Sequence, residues 1–193
     1  DPDGLIQLMG GPKGFELMLD SLFTQTSELL GEDTSDVTGM IGQYSQGNEP
    51  DHNSAYLYDP VGKIHKTQFY TNKIMNTLYK NSPDGLCGNE DCGQMSAWYV
   101  FSAMGIYPVN PVDGRYYFGS PQFEKTEMHL PNGKTFTILA KGVSPENIYS
   151  KSILLNGKPL DRLYVNWDEI QAGSTLKFEM TNKSKPNNEQ TSN

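Results

Sequence analysis

An α+β chain, with helices first and antiparallel strands after, is what three features of the 193-residue sequence imply. Apolar residues recur at helical spacing up to about residue 109. After Pro111, short runs rich in β-branched and aromatic residues alternate with turn signals. The change from one pattern to the other is abrupt, so residues 1–108 are expected to form a helical part, 109–182 a strand part, and 183–193, which have nothing apolar to bury, a disordered tail.

The helical part opens on Asp3-Gly4-Leu5-Ile6-Gln7-Leu8-Met9-Gly10-Gly11. Pro12, a favoured first-turn residue, precedes a helix expected over Lys13–Phe23, with Phe15, Leu19, Leu22 and Phe23 on its core stripe. Gly31 to Gly47 shows no periodicity and reads as a loop. A second helix is expected over Lys63–Lys80 through Ile64, Phe69, Ile74, Met75 and Leu78. A third runs from Gln94 to Met104 and is stopped by Gly105 and Pro108. Strands follow at Arg115–Phe118, Glu127–Leu130, Thr135–Ala140, Ser152–Leu155, Leu163–Asn166 and Thr175–Thr181. Pro131-Asn132-Gly133-Lys134 and Asn156-Gly157-Lys158 are hairpin-type connections, and Trp167 to Ile170 a one-turn break.

With 15 basic and 23 acidic residues the formal charge is −8, which speaks against a nucleic-acid partner and leaves no basic face for an anionic membrane. No apolar run approaches the length of a membrane span, so no insertion is expected. The two cysteines, Cys87 and Cys92, have neither a second pair nor a neighbouring histidine, so a zinc site is not indicated. Two small thiols beside a helix start, or a local disulfide in an exported protein, are the readings left open. No nucleophile elbow, phosphate loop, zinc-protease motif or dinucleotide fingerprint occurs.

Chemistry concentrates in two segments, Gly47-Asn48-Glu49-Pro50-Asp51-His52 and Gly88-Asn89-Glu90-Asp91-Cys92-Gly93. Each crowds carboxylates and amides onto glycine-flanked backbone, which is loop chemistry. The second runs straight into the third helix, so Asp91 is expected at or near a helix N-terminus. There, polar neighbours and the helix dipole favour its ionised form.

These segments, with the opening Asp3 to Gly11, Tyr56-Leu57-Tyr58 and the stretch from Gly88 to Pro108, resemble glycoside hydrolase family 92, calcium-dependent exo-acting α-mannosidases. The likeness covers most of the first 110 residues and is looser afterwards. It implies the last helices of an (α/α)6 barrel followed by a β-sandwich segment, and a chain that forms the C-terminal portion of a longer enzyme. Its partners would be an α-mannoside glycan and the N-terminal remainder of the same enzyme. Without that remainder, the helices are expected to expose apolar surface and the chain to turn over little or nothing. The resemblance further implies export to the periplasm or cell surface and a preference for α-1,2-linked mannose.

Inverting hydrolysis needs an acid for the leaving oxygen and a base for the attacking water. The resemblance implies Asp91 as base, with its neighbour Glu90 as the fallback; the bland reading of both is helix capping. It places the general acid upstream, and Glu16, Glu28 and Glu32 lack the motif that surrounds it. It also implies one Ca2+ holding mannose hydroxyls, with Asn48, Glu49 and Asn89 as ligands, although the residues alone lack the EF-hand pattern. Their bland reading is a turn whose side chains bond to backbone. His52 and Trp98 are candidate substrate-binding residues, against hydrogen-bonding and core alternatives respectively; Tyr56 and Tyr58 are as ambiguous as Trp98. His65 and His129 have no companions and read as ordinary residues. A noncatalytic carbohydrate-binding or interaction module, or a purely structural β-domain, is the alternative. Asp91→Asn in the whole protein separates these from an enzyme.

Overall fold

In the computed structural model, which describes residues 1–29, 34 and 37–184, helices and strands succeed one another in the order expected. Glu32 and most of the tail lie outside the described residues. The chain opens on α1 (Pro2–Leu8), not anticipated from the sequence, whose Asp1 side chain accepts from the Gly4 N–H as an N-cap. α2 (Gly11–Thr24) carries proline in its first turn and buries Phe15, Leu19 and Phe23, one residue per turn on a single face. A short hairpin, β1 (Met40–Ile41) with β2 (Tyr44–Ser45), sits within the expected loop. Two 3-10 turns follow, Glu49–Asp51 and Ser54–Tyr58; the second is buried throughout.

α3 (Ile64–Leu78) departs from its expected stripe. Phe69 is 42% exposed, while Thr67, Gln68 and Thr71 face inward with Ile64, Ile74 and Met75. Those polar side chains are each satisfied: the Thr67 hydroxyl donates to Asp59 (2.7 Å), Gln68 donates to the Gly119 carbonyl and to Ser150, and the Thr71 hydroxyl donates to the Thr67 carbonyl. Hydrogen-bonded burial thus displaces the face that apolar spacing alone selects. α4 (Gln94–Met104) matches its expected bounds and ends at Gly105, left-handed at φ 85°, whose N–H caps the Phe101 and Ser102 carbonyls.

Two sheets follow. A three-stranded one orders β3 (Ile106–Tyr107), β4 (Arg115–Phe118) and β9 (Tyr164–Asn166), all antiparallel. The other is five-stranded and comprises β5 (Lys125–His129), β6 (Thr135–Lys141), β7 (Tyr149–Leu155), β8 (Lys158–Pro159) and β10 (Thr175–Thr181). They lie in the order β5-β6-β10-β7-β8. Both expected hairpins form, and the second has positive φ at Asn156 and Gly157, as a tight primed turn demands. The expectation of a wholly antiparallel region is corrected at one place: β10 enters between β6 and β7 and pairs with β6 in parallel. Local turn signals do not encode that insertion. The one-turn break is α5 (Trp167–Gln171), closed by an Asn166/Glu169 capping box.

One core cluster gathers Phe15, Leu19, Phe23, Tyr44, Tyr56, Tyr58 and Trp98; a second gathers Phe118, Phe136, Ile138, Val165, Leu176 and Phe178. Packing crosses residue 108 in both directions, since Ile64 and Ile106 belong to the second cluster and Tyr117 to the first. Between them, the buried Asp59 carboxylate accepts from the Thr67 hydroxyl (2.7 Å) and the Phe118 N–H (3.1 Å), joining helix to strand.

Candidate active site

The two acid- and amide-rich loops meet through glycine backbones. A β-carbon on Gly88 would stand 2.5 Å from the Gly47 Cα and 2.7 Å from its carbonyl oxygen, and one on Gly47 would stand 3.1 Å from the Cys87 carbonyl oxygen. No side chain fits there, so glycine on both sides is what allows the loops to touch. Asn48, Glu49 and His52 are thereby brought to the same end of α4 as Asn89, Glu90 and Asp91.

The two neighbouring acids have different duties. Glu90 accepts from the Ser96 N–H (2.9 Å) and the Ser96 hydroxyl (2.6 Å), which holds its carboxyl below the usual carboxylate range. It is occupied with the start of α4, and the capping alternative describes it. Asp91 is exposed, and its carboxylate makes no hydrogen bond or ion pair among the described residues. Asp91 and Cys92 have φ of 37° and 57°, a left-handed pair that turns the chain into Gly93. The Asp91 carbonyl accepts from the Gln94 N–H at 3.2 Å, so the residue stands at the helix entry, with Gly93 rather than an acid as N-cap.

Glu49 is partly buried, and its Oε1 is shut off from solvent with no hydrogen-bond partner among the described residues. An unpartnered buried carboxylate oxygen is costly and marks a place where a cation or a hydroxyl belongs. Asn48 and Asn89 are exposed on the same two loops. Carboxylate and amide oxygens are hard donors of the type calcium selects. Among the described residues no three His, Cys, Asp or Glu side chains gather to hold a metal. The donor set present therefore fits calcium in kind, and a full shell would draw on amides, carbonyls, water and ligand.

A cleft of about 300 Å³ opens beside these loops, lined by Glu49, His52, Asn53, Gln94, Tyr107 and Val109 among others. His52 is buried at 1% exposure, with Nε2 2.9 Å from the Gln46 carbonyl oxygen and Nδ1 3.1 Å from Gln94 Nε2. Burial holds its pKa below the ordinary histidine value. Both ring nitrogens thus already have protein partners, as the hydrogen-bonding alternative for His52 describes. Trp98 is wholly buried, its indole N–H donating to the His52 carbonyl (2.8 Å), so it offers no face to a sugar. It is core, and so are Tyr56 and Tyr58. Gln94 and Tyr107 were not singled out from the sequence; the available signal was a lone amide at the first position of an otherwise apolar helix.

Other expectations resolve simply. Cys87 is half-buried, Cys92 is exposed, and both are free thiols. Glu16 pairs with Lys63 (3.2 Å) and Lys66 (2.7 Å), and Lys66 also binds Asp20 at 2.7 Å, a cluster away from the cleft. His129 lies on an exposed strand against Thr135. On α1 and α2, Leu8 is 86% exposed and Leu17 is 62% exposed. No described helix is long and apolar enough to cross a membrane.

Residues 1–182 match the profile of the glycosyl hydrolase family 92 catalytic domain. An α-mannosidase of that family from Bacteroides thetaiotaomicron, solved with mannoimidazole, is 42% identical with a TM-score of 0.88. The match covers 95% of this chain and 24% of that one. A second protein from Bacteroides thetaiotaomicron, described as an inverting mannosidase of the family, is 39% identical with a TM-score of 0.81, over 95% of this chain and 26% of that one. A fungal relative from Arthroderma benhamiae, named an uncharacterized secreted glycosidase, is 28% identical over 92% of this chain and 21% of its own length. The chain thus spans between a fifth and about a quarter of these relatives.

Proposed function

The chain belongs to glycosyl hydrolase family 92, and we propose that the protein carrying it is exported and removes terminal α-linked mannose, with α-1,2 linkages preferred, by inverting hydrolysis. One observation carries this reading furthest: the Gly47 and Gly88 backbones bring a partner-free Asp91 carboxylate and the orphaned Glu49 Oε1 to one end of α4. Relatives described as α-mannosidases, one of them inverting and another glycosidase secreted, supply the substrate class, the stereochemistry and the export.

In the proposed reaction, Asp91 takes a proton from a water as that water attacks the anomeric carbon on the face opposite the leaving oxygen. The glycosidic C–O bond breaks, and the leaving oxygen receives its proton from a carboxylic acid outside this chain. Exposure at the loop tip leaves the Asp91 carboxylate open to the attacking water. Glu90, tied to Ser96, fixes the helix entry on which Asp91 stands. Glu49, with Asn48 and Asn89, would hold calcium, which when bound orients sugar hydroxyls and stabilises developing charge. Trp98 and Gln46 hold His52 from behind, and His52 in turn fixes Gln94 in the cleft wall.

Asp91→Asn in the whole protein tests the assignment. Turnover of an α-1,2-mannobioside should fall at least about a hundredfold, with mannose binding retained, and the wild-type product should appear first as the β-anomer by NMR. Retained turnover, or an α-anomer released first, would overturn it.

A further inference from the structure

The hydrogen-bond network around Gln94 has only one consistent arrangement of protons. His52 Nε2 faces the Gln46 carbonyl, which can only accept, so that nitrogen carries a hydrogen. Nδ1, 3.1 Å from Gln94 Nε2, is then the acceptor of the ring and receives a hydrogen from Gln94. The Gln94 group facing it is therefore the NH2, and the second NH2 hydrogen goes to the Tyr107 hydroxyl oxygen at 3.2 Å. A flipped amide would place its carbonyl against Nδ1, demand a second ring proton, and bury an imidazolium.

Two valences remain. Gln94 Oε1 has no protein partner among the described residues and is not among the sealed, unsatisfied atoms, so it is open to the cleft that Gln94 lines. The Tyr107 oxygen already accepts from Gln94, and its own O–H has no acceptor among the described residues. The ring behind it is fixed by stacking on Tyr56, with centroids 4.9 Å apart, so the hydroxyl cannot swing away without unstacking.

We propose that Gln94 and Tyr107 form an acceptor and donor pair that reads hydroxyls of the sugar bound in this cleft. Gln94 Oε1 accepts from one hydroxyl and the Tyr107 O–H donates to the same or another. This rests on the mannose-binding reading above. Because His52 has no second ring hydrogen to donate toward Gln94, the polarity of the pair is fixed before the ligand arrives. A site whose polar groups are committed in this way rejects analogues that lack the matching hydroxyl, since a buried polar group is then left unpaired.

The test uses the whole protein, with methyl α-mannoside and its 2-, 3-, 4- and 6-deoxy analogues as probes in ligand-observed NMR titrations. Gln94→Met should weaken methyl α-mannoside about tenfold. It should leave unchanged the affinity for the one analogue that lacks the hydroxyl Gln94 reads. Tyr107→Phe, which keeps the stacked ring, should show a loss with its own single-analogue signature. Losses uniform across the series in both variants, or no loss in either, would overturn the pair while leaving the mannosidase reading intact. A wild-type protein that neither binds methyl α-mannoside nor cleaves α-mannosides would overturn both.

Discussion

Replacing Gly88 with alanine tests whether glycine contact assembles the two loops. The added methyl would sit 2.5 Å from the Gly47 Cα and 2.7 Å from the Gly47 carbonyl oxygen, against an ordinary contact that begins at 3.4 Å, so the loops must part by about 0.9 Å. The obstacle is backbone rather than the end of a flexible side chain, and it cannot rotate aside. Gly88 has no left-handed φ, so the penalty is steric and not conformational. Overpacking of this kind costs about 1–3 kcal/mol. A displacement near 1 Å between groups that must act together costs on the order of a hundredfold in rate. In the whole protein, Gly88→Ala is therefore expected to lower kcat/KM for an α-mannoside about a hundredfold, with a modest fall in Tm. The control is Gly133→Ala, whose β-carbon meets nothing within 4 Å although φ is +80°. Its strain should cost about 1–2 kcal/mol of stability, lowering Tm comparably, and leave kcat/KM unchanged. If Gly88→Ala kept kcat/KM within about twofold, or if the two variants lost activity equally, the reasoning would fail.

Three further outcomes are expected. Glu49→Gln should weaken calcium binding by about tenfold or more in a calorimetric titration of the whole protein, because the charged orphan oxygen is lost; an unchanged isotherm would remove Glu49 from the ligand set. Asp59 gives a pH signature: burial pushes its carboxyl well up, against the opposing pull of the Thr67 hydroxyl and the Phe118 N–H. A folded pKa above the unfolded one means its contribution is fully present below the unfolded pKa and is lost as pH rises through the folded one. Urea unfolding followed upward from about pH 4 should show this fall, and Asp59→Asn should flatten it; an identical profile in both proteins would refute the account. Trp98→Ala should cost about 3–5 kcal/mol as a core cavity, and a fall in Tm no larger than that of an exposed substitution would show that the indole is not core.

Much of the fold was legible because it is locally encoded. Proline and then apolar residues each turn specify α2, Gly105 ends α4 where its left-handed φ is needed, and Asn156-Gly157 turns β7 into β8. The site was legible as residue types: two glycine-flanked loops of acids and amides. Which acid stays free was not, because Glu90 and Asp91 differ only in that Ser96 lies within reach of one. The inward turn of Thr67 and Gln68, the outward turn of Phe69, and the carbonyl that His52 meets were hidden for the same reason. Each depends on partners such as Asp59, Ser150 and Gln46 that other segments bring.

By itself, then, the sequence determined the order and kind of the elements, the turns that end them and the chemical inventory of the two loops, since these depend on neighbours within a few residues. Tertiary structure alone decided that Gly47 meets Gly88, that β10 enters parallel to β6, and that Gln94 and Tyr107 line the cleft while Trp98 is buried in the core. Those outcomes turn on steric contact and hydrogen-bond satisfaction between segments far apart in the chain, and a linear pattern of residue types does not carry them.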